Sequence, residues 1–155
     1  MNPMKQYADI LVFDKDHQLV LIAEVKHKRG TSAEWASRMR RNMYAHGLMP
    51  TSPYFLLALP DRFYLWNDSG KGLDESEPMN EVDPSPFLRP YYAQSGTTPD
   101  TITGKSFELI VSSWLNEVLK AGGPEDLKDR NQDWLINSGL FERLSGGYVE
   151  LEEAA

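Results

Sequence analysis

Apolar positions gather at the front of the chain in two runs, Tyr7–Asp14 and Leu19–His27, both rich in Val, Ile, Leu and Phe. The polar segment Lys15-Asp16-His17-Gln18 separates them, and the pattern predicts a β-hairpin. With the turn centred on Asp16–His17, Phe13 opposes Val20, Leu11 opposes Ile22, Asp9 opposes Glu24 and Tyr7 opposes Lys26. Opposed residues share a face because side chains alternate along each strand. One face is then apolar near the turn and charged at the open end. The other, carrying Ala8, Ile10, Val12, Leu19, Leu21, Ala23 and Val25, is apolar throughout. A hairpin of this kind needs cover on both faces, which predicts an α/β arrangement.

Thr31 followed by Glu34 reads as a capping box, so a helix is expected from about that point. Trp35, Ala36, Met39 and Met43 give it an apolar stripe, and Gly47 is the expected C-terminal cap. Pro53–Leu59 reads as a fully buried strand, and strand–helix–strand in that order predicts a crossover to a parallel neighbour. Phe63–Trp66 follows a turn at Pro60–Arg62 and is expected at an edge. Asn67–Pro84 reads as an acidic surface loop, and the prolines of Pro84–Tyr92 predict an extended segment. Phe107, Ile110, Val111, Trp114, Leu115 and Val118 recur at helical spacing, predicting a helix over Phe107–Leu119 that Gly122-Gly123-Pro124 ends. A second helix is expected over Glu125–Asn137, then a closing hairpin of Leu140–Leu144 and Tyr148–Leu151.

With 155 residues, of which 41% are hydrophobic and 25% charged, the chain has the composition of one globular domain. Cysteine is absent, which excludes disulfides and thiolate metal sites. The run Tyr54–Leu59 falls far short of the ~20 residues of a membrane span. Met1–Tyr7 shows no basic-then-apolar signal pattern, and the expectation is a cytoplasmic protein without membrane contact. The net charge of −7 excludes a uniformly basic nucleic-acid coat. Charge is unevenly placed, however: Lys26, Lys28, Arg29, Arg38, Arg40 and Arg41 meet only Glu34 in their segment, whereas Asp68–Asp83 is acidic.

The chemistry sits at the hairpin's open end. Opposed like charges destabilise a sheet, and Asp9 and Glu24 would have Cβ atoms about 4.5–5.5 Å apart. A raised pKa, a cationic side chain or a divalent cation would relieve the repulsion. Lys26, two residues from Glu24 on the same face, neutralises one charge only. Two carboxylates, a main-chain carbonyl and waters suit Mg²⁺ (or Mn²⁺), which takes oxygen ligands and keeps part of its water shell. Such an ion stabilises charge on a phosphate and acidifies a bound water, with Lys26 positioned to assist.

Ala8-Asp9, a spacer and Glu24-Val25-Lys26 on paired strands, followed by a helix and a further strand, resemble the PD-(D/E)XK nuclease superfamily. The resemblance covers about Tyr7–Leu59, with Ala8 where the motif has proline. It implies an α/β, restriction-endonuclease-like core over about residues 7–67, with a central mixed β-sheet flanked by helices. The helical C-terminal extension, about 104–155, completes a single nuclease-like domain. It also implies a Mg²⁺-dependent endonuclease acting on DNA. Asp9 and Glu24 hold the metal with the Val25 carbonyl, and Asp9, Glu24 and Lys26 form the catalytic set. The family core opens with a helix that the six residues before Tyr7 do not provide. Phe107–Leu119 is expected to take its place, with Glu108 or Glu117 supplying a further acid.

Lys28, Arg38 and Arg41, before and on the first helix, are the expected phosphate contacts, with Arg40 beside them. His17, His27 and His46 form no ligand or nucleophile constellation. A homodimer would suit cleavage of both strands. The alternative to an enzyme is a catalytically inactive domain of the same fold, acting as a nucleic-acid-binding or protein-interaction module. An unidentified protein partner docking on the acidic loop and C-terminal helices is a third reading.

Overall fold

The segment Tyr54–Leu59 is buried at every position, so it needs a strand on each side and a layer on each face. It has both. A computed structural model describes residues 8–45, 50–67, 77–127 and 130–151, and in it six strands form one mixed sheet. In chain order these are β1 (Ile10–Phe13), β2 (Leu19–Val25), β3 (Tyr54–Leu59), β4 (Arg62–Asn67), β5 (Asn80–Val82) and β6 (Tyr148–Leu151). Their order across the sheet is β5-β4-β3-β2-β1-β6. β2 and β3 are parallel, joined by a crossover through α1 (Ala33–Ala45), and the other pairs are antiparallel. Five α-helices complete the described residues: α1, α2 (Ser85–Ser95), α3 (Gly104–Lys120), α4 (Asp133–Asn137) and α5 (Leu140–Leu144).

The hairpin register is the expected one over Ile10↔Ala23, Leu11↔Ile22 and Val12↔Leu21. It slips at the turn, where Phe13 pairs with Leu19 rather than Val20. His17 there takes a left-handed conformation (φ 63°), and the Asp14 carboxylate accepts the N–H groups of Asp16 and Gln18 at 2.8 and 2.9 Å. A side chain that binds its own turn sets the loop geometry, and with it the local pairing.

Each face of the sheet has its own core. Ile10, Val12, Ala23, Leu56, Ala58, Phe63 and Leu65 face α2–α5, while Leu11, Ile22, Phe55, Leu57, Tyr64 and Trp66 face α1. The crossover helix starts later than the capping box predicts. Ser32 Oγ accepts the Trp35 N–H at 3.1 Å, and Thr31 instead meets the Tyr64 hydroxyl at 2.9 Å. The proposed cap Gly47, with His46, lies outside the described residues.

Further differences are tertiary in origin. β4 is not an edge: its outer side pairs with β5, inside the segment expected to be all loop, while 68–76 lie outside the described residues. Pro84–Tyr92 is helical rather than extended, as most of α2. Pro86 fits the first turn, where its missing N–H has no helical partner to lose. Pro90 costs one backbone bond, offset by burial of Phe87, Leu88 and Tyr92. The helix expected over Glu125–Asn137 is broken into a 3₁₀ turn (Pro124–Leu127) and the short α4, with Arg130 and Asn131 both left-handed between them. Leu140–Leu144 is helical as α5, and β6 pairs with β1 instead of closing a hairpin. The segment expected as a C-terminal extension therefore contributes helices to one face of the sheet and a strand to its edge.

That edge depends on Gly147. A Cβ there would run into the Phe13 carbonyl oxygen and lie 3.0 Å from the Leu144 carbonyl. Both obstacles are backbone, so Gly147→Ala must push β6 off β1. We expect a loss of about 1–3 kcal/mol, read as a lower melting temperature, with amide exchange accelerated in β6 and β1.

Candidate active site

Hydrogen bonding in the hairpin ladder stops being backbone-to-backbone where the carboxylates begin. β1 begins only at Ile10, so the N–H groups of Asp9 and Val25 need other acceptors. Glu24 Oε2 accepts the Asp9 N–H at 3.2 Å, and Asp9 Oδ2 accepts the Val25 N–H at 2.8 Å. Each acid thus caps the backbone of the opposite strand, and the two side chains are held against each other by the chain they satisfy. The face is set by alternation: Ala23 and Val25 belong to the core under α3, so Glu24 points with Ile22 to the α1 side.

Burial decides the electrostatics. Glu24 is only 4% exposed. Loss of water around the carboxyl is the largest influence, followed by the adjacent Asp9 charge and a hydrogen bond between the two side chains. The Lys26 ammonium, its Nζ 3.6 Å from Glu24 Oε1, works in the opposite direction. The net result raises the Glu24 carboxyl from 4.5 to about 8. One lysine does not offset burial and a second carboxylate together, so near neutrality the pair carries a proton.

The structure therefore brings Asp9, Glu24, Val25 and Lys26 together as their spacing implies, at the C-terminal end of the parallel β2–β3 pair. Among the described residues, Asp9 Oδ1 and Glu24 Oε1 take no backbone N–H. Val25 donates its N–H toward β1, and in extended backbone the carbonyl of the same residue projects to the same side. Two carboxylate oxygens and one carbonyl, with a proton to displace, form a donor set suited to a hard oxygen-seeking cation. Among the described residues no group of three or more His, Asp or Glu converges as a metal site, so such an ion would draw its remaining ligands from water.

A further acid does not arrive. α3 covers the face opposite Glu24, packing through Phe107, Ile110, Val111 and Trp114, and this overturns the expectation that Glu108 or Glu117 joins the pair. The cause is that the apolar stripe of α3 and the apolar face of the hairpin find each other, while the acids lie on the other side of the sheet.

The segment from β2 to α1 frames the mouth. Gly30 turns it with a left-handed φ of 69°, and its N–H is held by Asp61 Oδ2 at 3.0 Å on the β3–β4 turn. Arg29 pairs with Asp100, and Lys28 lies over the Trp35 ring, 5.5 Å from its centroid. Lys28, Arg38 and Arg41 are exposed, Arg38 with Glu34 3.4 Å away one turn earlier. Arg40 is different: it is 1% exposed, its guanidinium against the rings of Tyr44, Phe55 and Trp66. It belongs to the core under α1, not to a phosphate-binding surface. Sequence reasoning missed Asp61, which stands far from the motif in the chain, and read Thr31 as a helix cap, whereas its hydroxyl meets that of Tyr64 on β4. His27 is exposed, Trp66 is core, and Tyr92 is buried.

No protein-family model, no curated protein and no solved structure matches the chain. Among the described residues, no helix is long and apolar enough to cross a membrane.

Proposed function

We propose that the chain is a divalent-cation-dependent nuclease of the PD-(D/E)XK type, with a restriction-endonuclease-like core, hydrolysing phosphodiester bonds in DNA. The observation that carries this reading is the pairing of Asp9 with the buried Glu24, with Lys26 3.6 Å from Glu24. A protein that only needed to close its hairpin would do so without burying a carboxyl beside a second one, because a buried charge costs several kcal/mol. Asp9, Glu24 and the Val25 carbonyl would hold Mg²⁺ or Mn²⁺. The bound ion supplies Lewis-acid stabilisation of phosphate charge and a more acidic water. The half-exposed Lys26 ammonium reaches both Glu24 and solvent, a position from which it steers the attacking water and offsets charge on the phosphate oxygens. Water attacks phosphorus, the bond to the leaving oxygen breaks, and that oxygen leaves with a proton. Exposed Lys28, Arg38 and Arg41 are the proposed backbone contacts.

Incubation of purified protein with Mg²⁺ or Mn²⁺ should cut plasmid, linear or single-stranded DNA. Lys26→Ala and Asp9→Ala should each lower the rate by about 10²–10⁴-fold with the circular dichroism spectrum retained. Intact substrates and no metal uptake by titration would refute the proposal. The specific observation favouring a silent module is that both acids already serve the backbone as caps. DNA retention that weakens steeply with salt, without cleavage at any metal concentration, would select that reading.

A further inference from the structure

The two outer edges of the sheet are built differently. β5 is three residues long and runs straight into Asp83-Pro84, so a proline ends it as a template for further pairing. β6, at the other edge, carries neither lysine nor proline, and its register with β1 is continuous, without a bulge. Among the described residues nothing pairs with its outer side. It also holds two of the four large hydrophobic side chains that the described residues leave exposed, Tyr148 at 37% and Leu151 at 42%.

Tyr148 is already held in place on two sides. Its ring stacks on Phe13, with centroids 5.3 Å apart, and its hydroxyl lies 3.1 Å from His17 Nδ1. An exposed aromatic fixed in this way loses little freedom on being covered. Glu150, the one charged residue of the strand, shares its face: Tyr148 and Glu150 oppose Phe13 and Leu11 on the α1 side. Val149 opposes Val12 on the α3 side.

We propose that β6 pairs with β6 of a second copy of this chain, continuing the sheet across a two-fold axis. Two copies of one edge strand run antiparallel about an axis normal to the sheet. Opposed residues share a face, so that axis must pass at a residue facing its own copy. Centred on Tyr148 or Leu151, only the central residue meets a strand partner. Centred on Glu150, two carboxylates oppose each other directly, which destabilises a sheet. Centred on Val149, that residue faces its own copy and Tyr148 faces Glu150 on either side. A hydroxyl both donates and accepts, so Tyr148, while accepting from His17, has a proton to donate to that carboxylate. The strand is therefore complementary to itself in one register, and this assigns a second copy to the edge in place of an unrelated extended peptide. Four residues a side fall short of the roughly 1,000 Å² of a stable interface, so the dimer is weak, half-formed on the order of 0.1 mM. Each copy carries a net charge of −7, and salt strengthens the association by screening that repulsion, whereas it weakens contacts to DNA. The pairing does not depend on the acid pair cutting DNA.

The chain has no cysteine, so single introduced cysteines report the register. Light scattering of the full-length protein should rise from one-chain toward two-chain mass between about 10 µM and 1 mM. Under mild oxidation at the highest concentration, Val149→Cys should form a disulfide-linked dimer about 10-fold faster than Glu150→Cys or, on the β5 edge, Glu81→Cys. Val149 is half-buried, so a readout on the unaltered chain accompanies the variants: the outward amides of β6 should exchange about 5-fold more slowly at the highest concentration than at the lowest. One-chain mass throughout, equal crosslinking at all three positions, faster crosslinking at Glu150→Cys, or a dimer whose β6 amides exchange as in the monomer would overturn the proposal.

Discussion

Glu24→Gln should melt at a higher temperature than the wild-type protein at pH 9 in EDTA and, on the proposed function, should cleave no DNA. The reason lies in the raised carboxyl. A folded-state value of about 8 against 4.5 means that between these values the folded protein binds a proton the unfolded chain releases. The stabilisation linked to that proton is fully present below about 4.5 and is lost as pH rises through about 8. Above that, wild-type protein carries the buried Glu24 carboxylate beside that of Asp9, at a cost on the order of a few kcal/mol. Glutamine has the shape of the protonated acid, still accepts the Asp9 N–H, and never ionises. The difference in melting temperature should be small at pH 5 and reach about 3–10 °C at pH 9, on the ~2–4 °C per kcal/mol expected for a chain of this size. Mn²⁺ should raise the wild-type transition and leave that of the variant unmoved, because only the former offers two carboxylates. A melting-temperature difference that does not change with pH would mean that Glu24 is an ordinary acid and the site is not under electrostatic tension.

Trp114→Ala is expected to be the most damaging single truncation on the helical face. Trp114 is 2% exposed and touches three other rings: Phe87 at 4.9 Å, Phe63 at 5.5 Å and Trp134 at 5.9 Å between centroids. Those rings come from α2, β4 and α4, so one side chain ties together four elements. Its removal costs about 3–5 kcal/mol, the upper range for core aromatics, because the cage around it is built from rigid rings that close poorly on a void. Thermal denaturation should show a fall of roughly 6–20 °C and a collapse of the near-ultraviolet signal. Trp114→Phe, which keeps a six-membered ring in the stack but loses the pyrrole ring and the bond to Gln132, should cost markedly less. Comparable losses for both variants would place the stabilisation in the pyrrole ring and its hydrogen bond and not in the six-membered ring's stack.

Local pattern decided a good deal of this molecule. Alternation in Ile10–Phe13 and Leu19–Val25, with a polar turn between, places Asp9 and Glu24 side by side without any knowledge of the rest of the chain, because a hairpin's register follows from its turn and its period of two. The same holds for α3, whose apolar stripe spans about three turns, and for the parallel β2–β3 crossover, which strand–helix–strand order almost forces. A raised pKa on one of the two acids was among the three ways out the sequence allowed, beside a cationic side chain and a divalent cation; that Glu24 is the one raised follows from its burial.

What no local pattern carries is which surface covers which. α2 is a helix despite Pro90 because Phe87, Leu88 and Tyr92 bury against a face that exists only once the sheet has formed. β6 sits beside β1, and β4 lies inside the sheet, because distant strands complete their backbone pairing. Arg40 reads as a surface charge among other arginines, yet it is enclosed by rings from α1, β3 and β4. The side of the sheet that α3 covers, and hence the absence of its glutamates from the acid pair, was settled by matching apolar area. Chemistry at the hairpin is encoded in about twenty consecutive residues; its surroundings are decided by burial, which is non-directional and summed over the whole chain.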